Sequence, residues 1–308
     1  MSVVPPLVIL HKQLGDVLLL EPALRKLAGF AGQSVWLATR PNFFPLLDLM
    51  TGVKPFPGGW FRRASQIISF DHLARASLQS MATFAPDKRL FVMSQKRLHA
   101  WHRLCFPQGT QVVGEGDLYR AEYYYRLVPG ADQFTPPVLK HPPQEWMPSG
   151  LSSGYVLIHP TSAWKNKCWP ANSWAKAIDN LCEEGFGPFV VTGGHTRWEE
   201  EFVKSIEGAS KAPLQNLCGK TDLRSYLAVI ANASKVLCVD GSAAHLAAAF
   251  GRPTVVMFGP SHPMHWYWPA RHTRLLDARA YSQERRPSAS LIPVEALLHS
   301  VRDLTESV

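Results

Sequence analysis

Short apolar runs alternate along this chain with longer segments in which apolar residues recur every three or four positions. The short runs are typical of strands buried in a parallel sheet, and the longer segments of helices that cover its faces. In the first half, the pattern predicts strands at residues 7–10, 34–38, 66–70, 89–93 and 111–113. It also predicts a helix from Val17 to Ala28, with Gly15 and Asp16 as the break before it.

The second half repeats this alternation. The pattern predicts strands at residues 155–159, 188–192, 236–239 and 253–258, and helices at residues 171–184, 197–206, 223–233 and 293–304. Residues 128–154 between the halves are rich in proline, which excludes regular structure and predicts a linker. A chain of 308 residues exceeds one typical core, so we expect two domains, residues 1–150 and 151–308.

The alternation predicts an α/β fold class with a doubly wound parallel sheet in each domain, and a cleft between the strand ends of the two. Composition adds that the chain is globular, with 46% hydrophobic residues. No apolar run reaches the roughly 18 to 20 residues that cross a bilayer, and residues 1–6 lack an export signal, so we expect a cytoplasmic protein. The five cysteines have no metal-ligand spacing, which predicts reduced thiols and no metal site.

The formal charge of +8 is concentrated in the first half. Between Lys54 and Arg126 there are eleven Lys and Arg residues against five Asp and Glu residues. Cations alternate there with aromatic residues, which suits an anionic partner such as a phosphorylated glycolipid, an acidic membrane surface or a nucleic acid. A solvated basic face without a partner is the alternative. No RNA-binding aromatic signature and no helix-turn-helix spacing supports nucleic acid.

Residues 236–260 are the most informative stretch of the chain for predicting a binding site. A valine-rich strand leads directly into Asp240, Gly241 and Ser242, and an alanine-rich helix follows. The first turn of a helix has backbone N–H groups without intrahelical partners, and small residues let a phosphate approach them. This stretch therefore predicts a phosphate site. In the alternative interpretation it is an ordinary βαβ unit in which His245 simply packs.

Three further segments are expected to face the cleft. Asp16 follows the first strand, where its carboxylate can face the gap or cap a helix. The loop at residues 159–170 has hydroxyls, amides and lysines that can bind a diphosphate, or Trp169-Pro170 can open a helix as a hydrophobic staple beside exposed lysines. One of the carboxylates at residues 199–201 can accept hydrogen bonds from ribose, or all three belong to a solvated first turn.

Taken in order, these motifs resemble glycosyltransferase family 9, the ADP-heptose:lipopolysaccharide heptosyltransferases. The matching pieces are Gly15-Asp16-Val17, Glu21-Pro22-Ala23-Leu24, Lys167-Cys168-Trp169-Pro170, Gly219 to Leu223, Asp240 to Ala247 and Phe258-Gly259-Pro260. The resemblance extends over nearly the whole chain and ends with the helix predicted at residues 293–304. It implies a GT-B fold, in which two Rossmann-like domains face each other across a cleft.

The resemblance also implies an activity: inverting, metal-independent transfer of a heptose from an ADP-sugar to an anionic lipid-linked saccharide at the inner face of the inner membrane. It implies no cofactor beyond the nucleotide-sugar donor. Asp16 matches the family's general base. The implied donor site consists of Thr161, Ser162, Lys167, Glu199, Thr221, Asp240, Gly241, Ser242 and His245. The cations that we assign to the acceptor are Lys12, Arg62, Arg63, Lys96 and Arg97.

The chain departs from the family pattern in three places. The family places a hydroxyl residue directly after the aspartate, whereas this chain has Gly241 there and Ser242 one position later. The loop at residues 11–14 is short and lacks small hydroxyl residues, and the cysteines common near the family's end are absent around residues 281–293. Open alternatives are a GT-B protein that binds nucleotide-sugars without turnover, and a transferase that uses another donor or a protein acceptor. Whether Lys165 or Lys167 contacts phosphate is also open.

Overall fold

A computed structural model describes residues 4–114, 116–130 and 133–304. The chain divides into two compact units, Met1–Lys140 and His141–Val308. Three predictions fall partly outside the described residues. Residues 1–3 belong to the segment expected to lack an export signal, residues 131 and 132 to the expected linker, and residues 305–308 to the second domain. Among the described helices, none combines the length and the apolar composition needed to cross a bilayer.

The N-terminal unit is built around a six-stranded sheet in which the strands run parallel in the order β3-β2-β1-β5-β7-β8. Its strands are β1 (Leu7–Ile9), β2 (Val35–Ala38), β3 (Val53–Pro55), β4 (Arg62–Arg63), β5 (Ile67–Ser69), β6 (Thr83–Phe84), β7 (Lys88–Val92) and β8 (Gly109–Val112). Its helices are α1 (Leu14–Leu19), α2 (Glu21–Ala31), α3 (Phe44–Asp48), α4 (Ala74–Met81), α5 (His102–Cys105) and α6 (Arg120–Arg126). Strands β4 and β6 pair separately from the main sheet.

The C-terminal unit has a second parallel sheet, in the order β11-β10-β9-β12-β13-β14. Its strands are β9 (Val156–His159), β10 (Phe189–Val191), β11 (Leu214–Asn216), β12 (Lys235–Val239), β13 (Thr254–Phe258) and β14 (Thr273–Asp277). Its helices are α7 (Ala171–Glu183), α8 (Arg197–Ala209), α9 (Leu223–Ala231), α10 (Ser242–Ala249), α11 (Pro263–Trp266) and α12 (Val294–Arg302). Every residue of β12 and β13 is buried, as their apolar runs predict.

The single helix predicted from Val17 to Ala28 is wrong, because the segment forms two helices that meet at Leu20. Pro22 lies in the first turn of α2, where its missing N–H costs nothing, but a continuous helix would need that N–H and would bring the ring against the Leu18 carbonyl. Helix α1 also begins earlier than predicted, at Leu14. Asp16 is therefore inside its first turn and is not the N-cap of the alternative interpretation; that position is occupied by Gln13.

Both sheets have the same reversal of strand order. In each unit the chain adds strands to one side of the first strand, then returns to its other side, so the change of direction falls between β1 and β5 and between β9 and β12. Loops that leave two such neighbouring strands diverge to opposite faces of the sheet and leave a crevice at the carboxyl edge. The fold therefore fixes where each unit can bind a ligand.

Packing at the start of α7 confirms the hydrophobic staple. Trp169 precedes the N-cap residue Pro170, and its ring meets the Trp174 ring edge-on at 5.3 Å between centroids. Both rings are fully buried, and Trp169 Nε1 donates to the Ile292 carbonyl at 2.9 Å. This contact anchors the end of the loop that follows β9, so the lysines of that loop extend from a fixed base.

Candidate functional site

Polar groups of the C-terminal unit converge where β9 and β12 end. The loop after β9, residues 160–170, and the turn after β12, residues 240–241, leave adjacent parallel strands that pair His159 with Cys238. Ser162 Oγ lies 4.0 Å from the position that a Cβ on Gly241 would occupy. The two segments predicted to bind a diphosphate are thus in contact in the folded protein.

An ion pair joins these segments. Lys167 Nζ lies 2.6 Å from Asp240 Oδ2, and the two side chains are 16% and 4% exposed. Lys165, in contrast, is exposed, and its Nζ lies 5.2 Å from the centroid of the Trp198 ring. Of the two lysines in the loop, Lys167 is therefore the one that reaches the turn after β12.

The turn after β12 ends at the N-terminus of α10. Gly241 is the N-cap residue in an extended backbone conformation, φ 178°, and it has no side chain with which to cap the helix. The side chain of Ser242, the first helical residue, lies beside the Tyr226 hydroxyl, so the hydroxyl that follows Gly241 is turned toward α9. His245 is buried one turn later, and its ring centroid is 6.4 Å from that of Trp266.

Glu199 caps its own helix. Its Oε2 accepts a hydrogen bond from Thr196 Oγ1 at 2.6 Å, and its Oε1 accepts one from the Gly194 N–H at 3.1 Å. A Cβ on Gly194 would come within 2.3 Å of this carboxylate, so a larger residue there would displace Glu199 from these hydrogen bonds. Glu199 is buried, which makes the interpretation as a solvated first turn wrong for this residue. Its ribose role stays a prediction, and both oxygens already accept bonds from the protein.

The two threonines of the predicted donor site are buried on either side of these groups. Thr161 Oγ1 has no hydrogen-bond partner among the described residues, and it lies 3.3 Å from where a Cβ on Gly193 would stand. Thr221 precedes Asp222, the N-cap of α9, whose Oδ1 accepts from the Ser225 N–H at 2.8 Å. The donor contacts of both threonines stay predictions.

His159, the last residue of β9, belongs to this site although it was not among the predicted residues. Its Nδ1 lies 3.0 Å from Thr192 Oγ1, and its ring is tilted against Tyr226. Burial lowers the pKa of His159 from 6.5 to about 4, against the opposing effect of the Glu199 carboxylate. The imidazole is therefore neutral near pH 7. His159 is the first residue of the segment 159–170 that we predicted to bind a diphosphate, and its place at a strand end is the signal that would have identified it.

A second cluster lies at the reversal point of the N-terminal unit. Lys12, between β1 and α1, is surrounded by charged groups, and half-buried Asp16 is one of them. Burial is the main cause that lowers the pKa of Lys12; the Arg120 and Arg97 charges lower it further, whereas Asp16 and Asp71 oppose the shift. Asp16, the predicted general base, and Lys12, one of the cations predicted to bind the acceptor, thus share one electrostatic environment.

Two members of this cluster were not predicted. Asp71 follows β5 and is buried; its Oδ2 accepts from the His11 N–H at 3.1 Å and its Oδ1 from the Leu73 N–H at 3.0 Å. Arg120 is buried at the start of α6. Asp16 was singled out as a carboxylate in the segment after an apolar strand, and Asp71, two residues after β5, has the same signal.

The predicted acceptor cations do not form one group. Lys12 and Arg97 lie within electrostatic reach of each other, and Lys96 is exposed in the same short 3₁₀-helix as Arg97, Gln95–Arg97. Arg62 and Arg63 form β4 in the separate two-stranded sheet, and both are exposed. Their role in acceptor binding stays a prediction.

Residues 130–289 match the model of "Glycosyltransferase family 9 (heptosyltransferase)". This match is narrower than the expected resemblance over nearly the whole chain, and it leaves Asp16 and the basic half outside. Lipopolysaccharide heptosyltransferase 3 of Escherichia coli K12 is 27% identical over 165 residues, which are 50% of this chain and 47% of that protein. The chain thus spans about half the length of the curated relatives that it matches first.

Solved structures extend the similarity to both units. The E. coli ADP-heptose lps heptosyltransferase II has a TM-score of 0.79 at 18% identity, covering 97% of each chain. The E. coli heptosyltransferase WaaC with ADP has a TM-score of 0.77 at 16% identity, covering 97% of this chain and 99% of that one. These values confirm the predicted fold class: an α/β fold of the GT-B type with two parallel-sheet domains.

We predict that the Lys167–Asp240 ion pair stabilises the folded protein and that the effects of removing its two members are not additive. Lys167→Met leaves a buried carboxylate without its cation, and we expect it to lower the free energy of unfolding by about 2–3 kcal/mol. Asp240→Asn should cost a similar amount, and the double variant less than the sum of the two. Urea unfolding of all three variants measures the coupling. Lys165→Met is the control and should change stability by less than about 0.5 kcal/mol; additive effects would contradict the pairing.

We predict that His159 makes the protein less stable in acid. Its folded-state pKa, about 4, lies below the unfolded value of 6.5, so between these values the unfolded state binds the proton and the folded state does not. Stability contributed by the neutral ring is fully present above pH 6.5 and falls as the pH drops toward 4, by about 2 kcal/mol at pH 5. Thermal unfolding of the parent and of His159→Gln at pH 7 and pH 5 measures this difference. If His159→Gln and the exposed-site control His141→Gln respond to acid equally, the assignment is wrong.

Proposed function

Because the chain belongs to glycosyltransferase family 9, we propose that it transfers a heptose, or a related sugar, from an ADP-sugar to a lipid-linked oligosaccharide of the lipopolysaccharide core. The observation that carries the proposal is the Lys167–Asp240 pair at the N-terminus of α10. It brings a cation and helix N–H groups to the crevice where β9 and β12 diverge. The similarity to the structures of the ADP-heptose lps heptosyltransferase II and of WaaC with ADP supports adenine as the donor base.

The donor diphosphate would lie against the first turn of α10. Backbone N–H groups there carry the positive end of the helix dipole, and Gly241 adds no side chain between them and a phosphate. A carboxylate cannot donate to phosphate, so we assign Asp240 a positioning role: it holds the Lys167 ammonium where the ammonium can also bind an anionic oxygen. The remaining predicted donor residues follow strands β9 to β12, whose carboxyl ends share one edge of the sheet: Thr161, Ser162, Glu199, Thr221, Ser242 and His245.

Transfer with inversion needs one base and one stabilised leaving group. Asp16 would accept the proton of the acceptor hydroxyl as that oxygen forms its bond to the anomeric carbon. The bond from the anomeric carbon to the diphosphate oxygen breaks in the same step, and the electron pair leaves with ADP. Lys167 and the α10 N–H groups would offset the charge that develops on that oxygen, a stabilisation that acts most strongly in the transition state.

The proposed partners follow from the charge distribution. The acceptor would be an anionic lipid-linked saccharide, which Lys12, Lys96 and Arg97 attract, with Arg62 and Arg63 contributing at longer range. We place the reaction at the inner face of the inner membrane, without a nucleic acid partner. Lysine and helix N–H groups take the role that a divalent ion has in other transferases, so we propose that no metal cofactor is needed.

Nucleotide binding tests the donor site. We predict that ADP binds with equal affinity in EDTA and in Mg²⁺, and that Lys167→Met weakens it about 10- to 100-fold, as expected for the loss of one charge-assisted hydrogen bond. Isothermal titration calorimetry measures both values. Lys165→Met is the control and should bind ADP as the parent does. Stabilisation by UDP or GDP, with none by ADP, would contradict the donor assignment.

Asp16→Asn tests the base. We predict that this variant binds ADP normally but loses transfer activity by about 10²- to 10⁴-fold, the usual contribution of a positioned base. The assay follows ADP release from ADP-heptose in the presence of a lipid-linked core saccharide. Asp48→Asn, an exposed carboxylate change in the same unit, is the control and should keep full activity. A parent protein that binds ADP without any turnover would instead favour the binding-protein alternative.

A further inference from the structure

Helix α4 exposes its large apolar side chains and buries its hydroxyls, the reverse of an ordinary surface helix. Ser77 and Ser80 are fully buried, and Ser80 Oγ donates to the Cys105 carbonyl at 2.8 Å. Leu78 and Met81, nearly one turn apart, are 59% and 62% exposed. Because small residues, Ala76 and the two serines, occupy the inward positions, the large apolar side chains of α4 are directed away from the core of its own unit.

The exposed apolar surface continues from α4 onto the small sheet. The Phe61 N–H donates to the Ala82 carbonyl at 2.8 Å directly after α4, and the rings of Phe61 and Phe84 stack with centroids 6.0 Å apart. Phe61 has a φ of +63°, a backbone region that bulky residues rarely adopt, and its side chain is 73% exposed. Trp60 is 74% exposed beside it. We call these five exposed residues the docking patch: Trp60, Phe61, Leu78, Met81 and Phe84.

Cations flank the docking patch. Arg62 and Arg63 of β4 and Arg75 of α4 are exposed. Between residues 49 and 114 the sequence has nine Lys and Arg residues and two acidic residues, Asp71 and Asp87. Asp71 is buried and Asp87 pairs with Arg89 at 3.0 Å, so neither neutralises the arginines of β4 and α4 through a contact of its own. The surface therefore combines large apolar side chains with positive charge.

We propose that the docking patch binds the surface of an anionic phospholipid bilayer. Trp and Phe side chains favour the boundary between headgroups and acyl chains, while Leu and Met add apolar area, as in proteins that lie on a membrane without spanning it. The arginines meet the negative headgroups. A second copy of this chain fits the patch less well, because pairing two copies would bring their arginines together. The choice of biological membrane rests on the proposed function, whereas the binding of a bilayer does not.

Vesicle co-sedimentation of the full chain, without nucleotide, tests the proposal. We expect binding to phosphatidylcholine vesicles that contain about one third phosphatidylglycerol, much weaker binding to pure phosphatidylcholine, and loss of binding as salt rises. Arg62→Ser/Arg63→Ser should weaken partitioning about 30-fold, since each arginine near an anionic surface contributes about a factor of 5. Trp60→Ser/Phe61→Ser should weaken it about 10-fold or more through lost apolar contact.

Two matched controls separate the patch from general charge and hydrophobicity. Arg285→Ser/Arg286→Ser removes an exposed arginine pair from the other unit, and Phe30→Ser removes an aromatic ring that is 63% exposed outside the patch. Both should bind vesicles as the parent does. If the patch variants bind vesicles as well as these controls do, the proposal is overturned. It is also overturned if the parent is a dimer in sedimentation velocity and the patch variants lose the dimer but still bind vesicles. Thermal unfolding of the same variants shows whether they are folded, and a parent protein that binds vesicles but not ADP contradicts only the proposed function.

Discussion

The organisation of this protein depends on one constraint: in each six-stranded sheet all strands run parallel, and the chain reverses its direction of growth once. Parallel strands place all their carboxyl ends at one edge, and the reversal separates the two loops that leave the central pair. In the resulting crevice, backbone and side-chain polar groups can face solvent while the hydrogen bonds of the sheet stay intact. Lys167 and Asp240 in one unit, and Lys12 and Asp71 in the other, lie at these two crevices for this reason.

The C-terminal crevice combines a lysine with a helix N-terminus, and both features favour an anion. Lys167 comes from the loop after β9, Asp240 comes from the turn after β12, and they meet only because β9 and β12 are neighbours. The Trp169–Trp174 staple fixes the far end of the loop, so the lysine has little freedom to leave the crevice. Because burial lowers the pKa of His159 to about 4, its ring is neutral at physiological pH and adds no positive charge to that of the lysine and the helix N-terminus.

The N-terminal unit differs in character from its partner, although the topology is the same. Its crevice holds carboxylates and cations together, Asp16 and Asp71 beside Lys12, which suits proton transfer to and from a polar acceptor more than the binding of a diphosphate. Elsewhere it exposes apolar side chains next to arginines. For the proposed lipid-linked acceptor, the polar crevice would hold the saccharide and the apolar, cationic surface would keep the protein at the bilayer.

The sequence by itself determined the fold class, most strand positions and the two segments that meet where β9 and β12 end, because hydrophobic period, turn residues and motif order are local properties that survive without tertiary contacts. It did not reveal the break at Leu20, where Pro22 competes with an otherwise continuous helical pattern. Only the tertiary structure decided that Lys167 rather than Lys165 reaches Asp240, that Glu199 caps its own helix, and that Asp71 and His159 join the two crevices. Those outcomes depend on which strand ends become neighbours and which way a loop turns, and residues far apart in sequence carry no local signal of either.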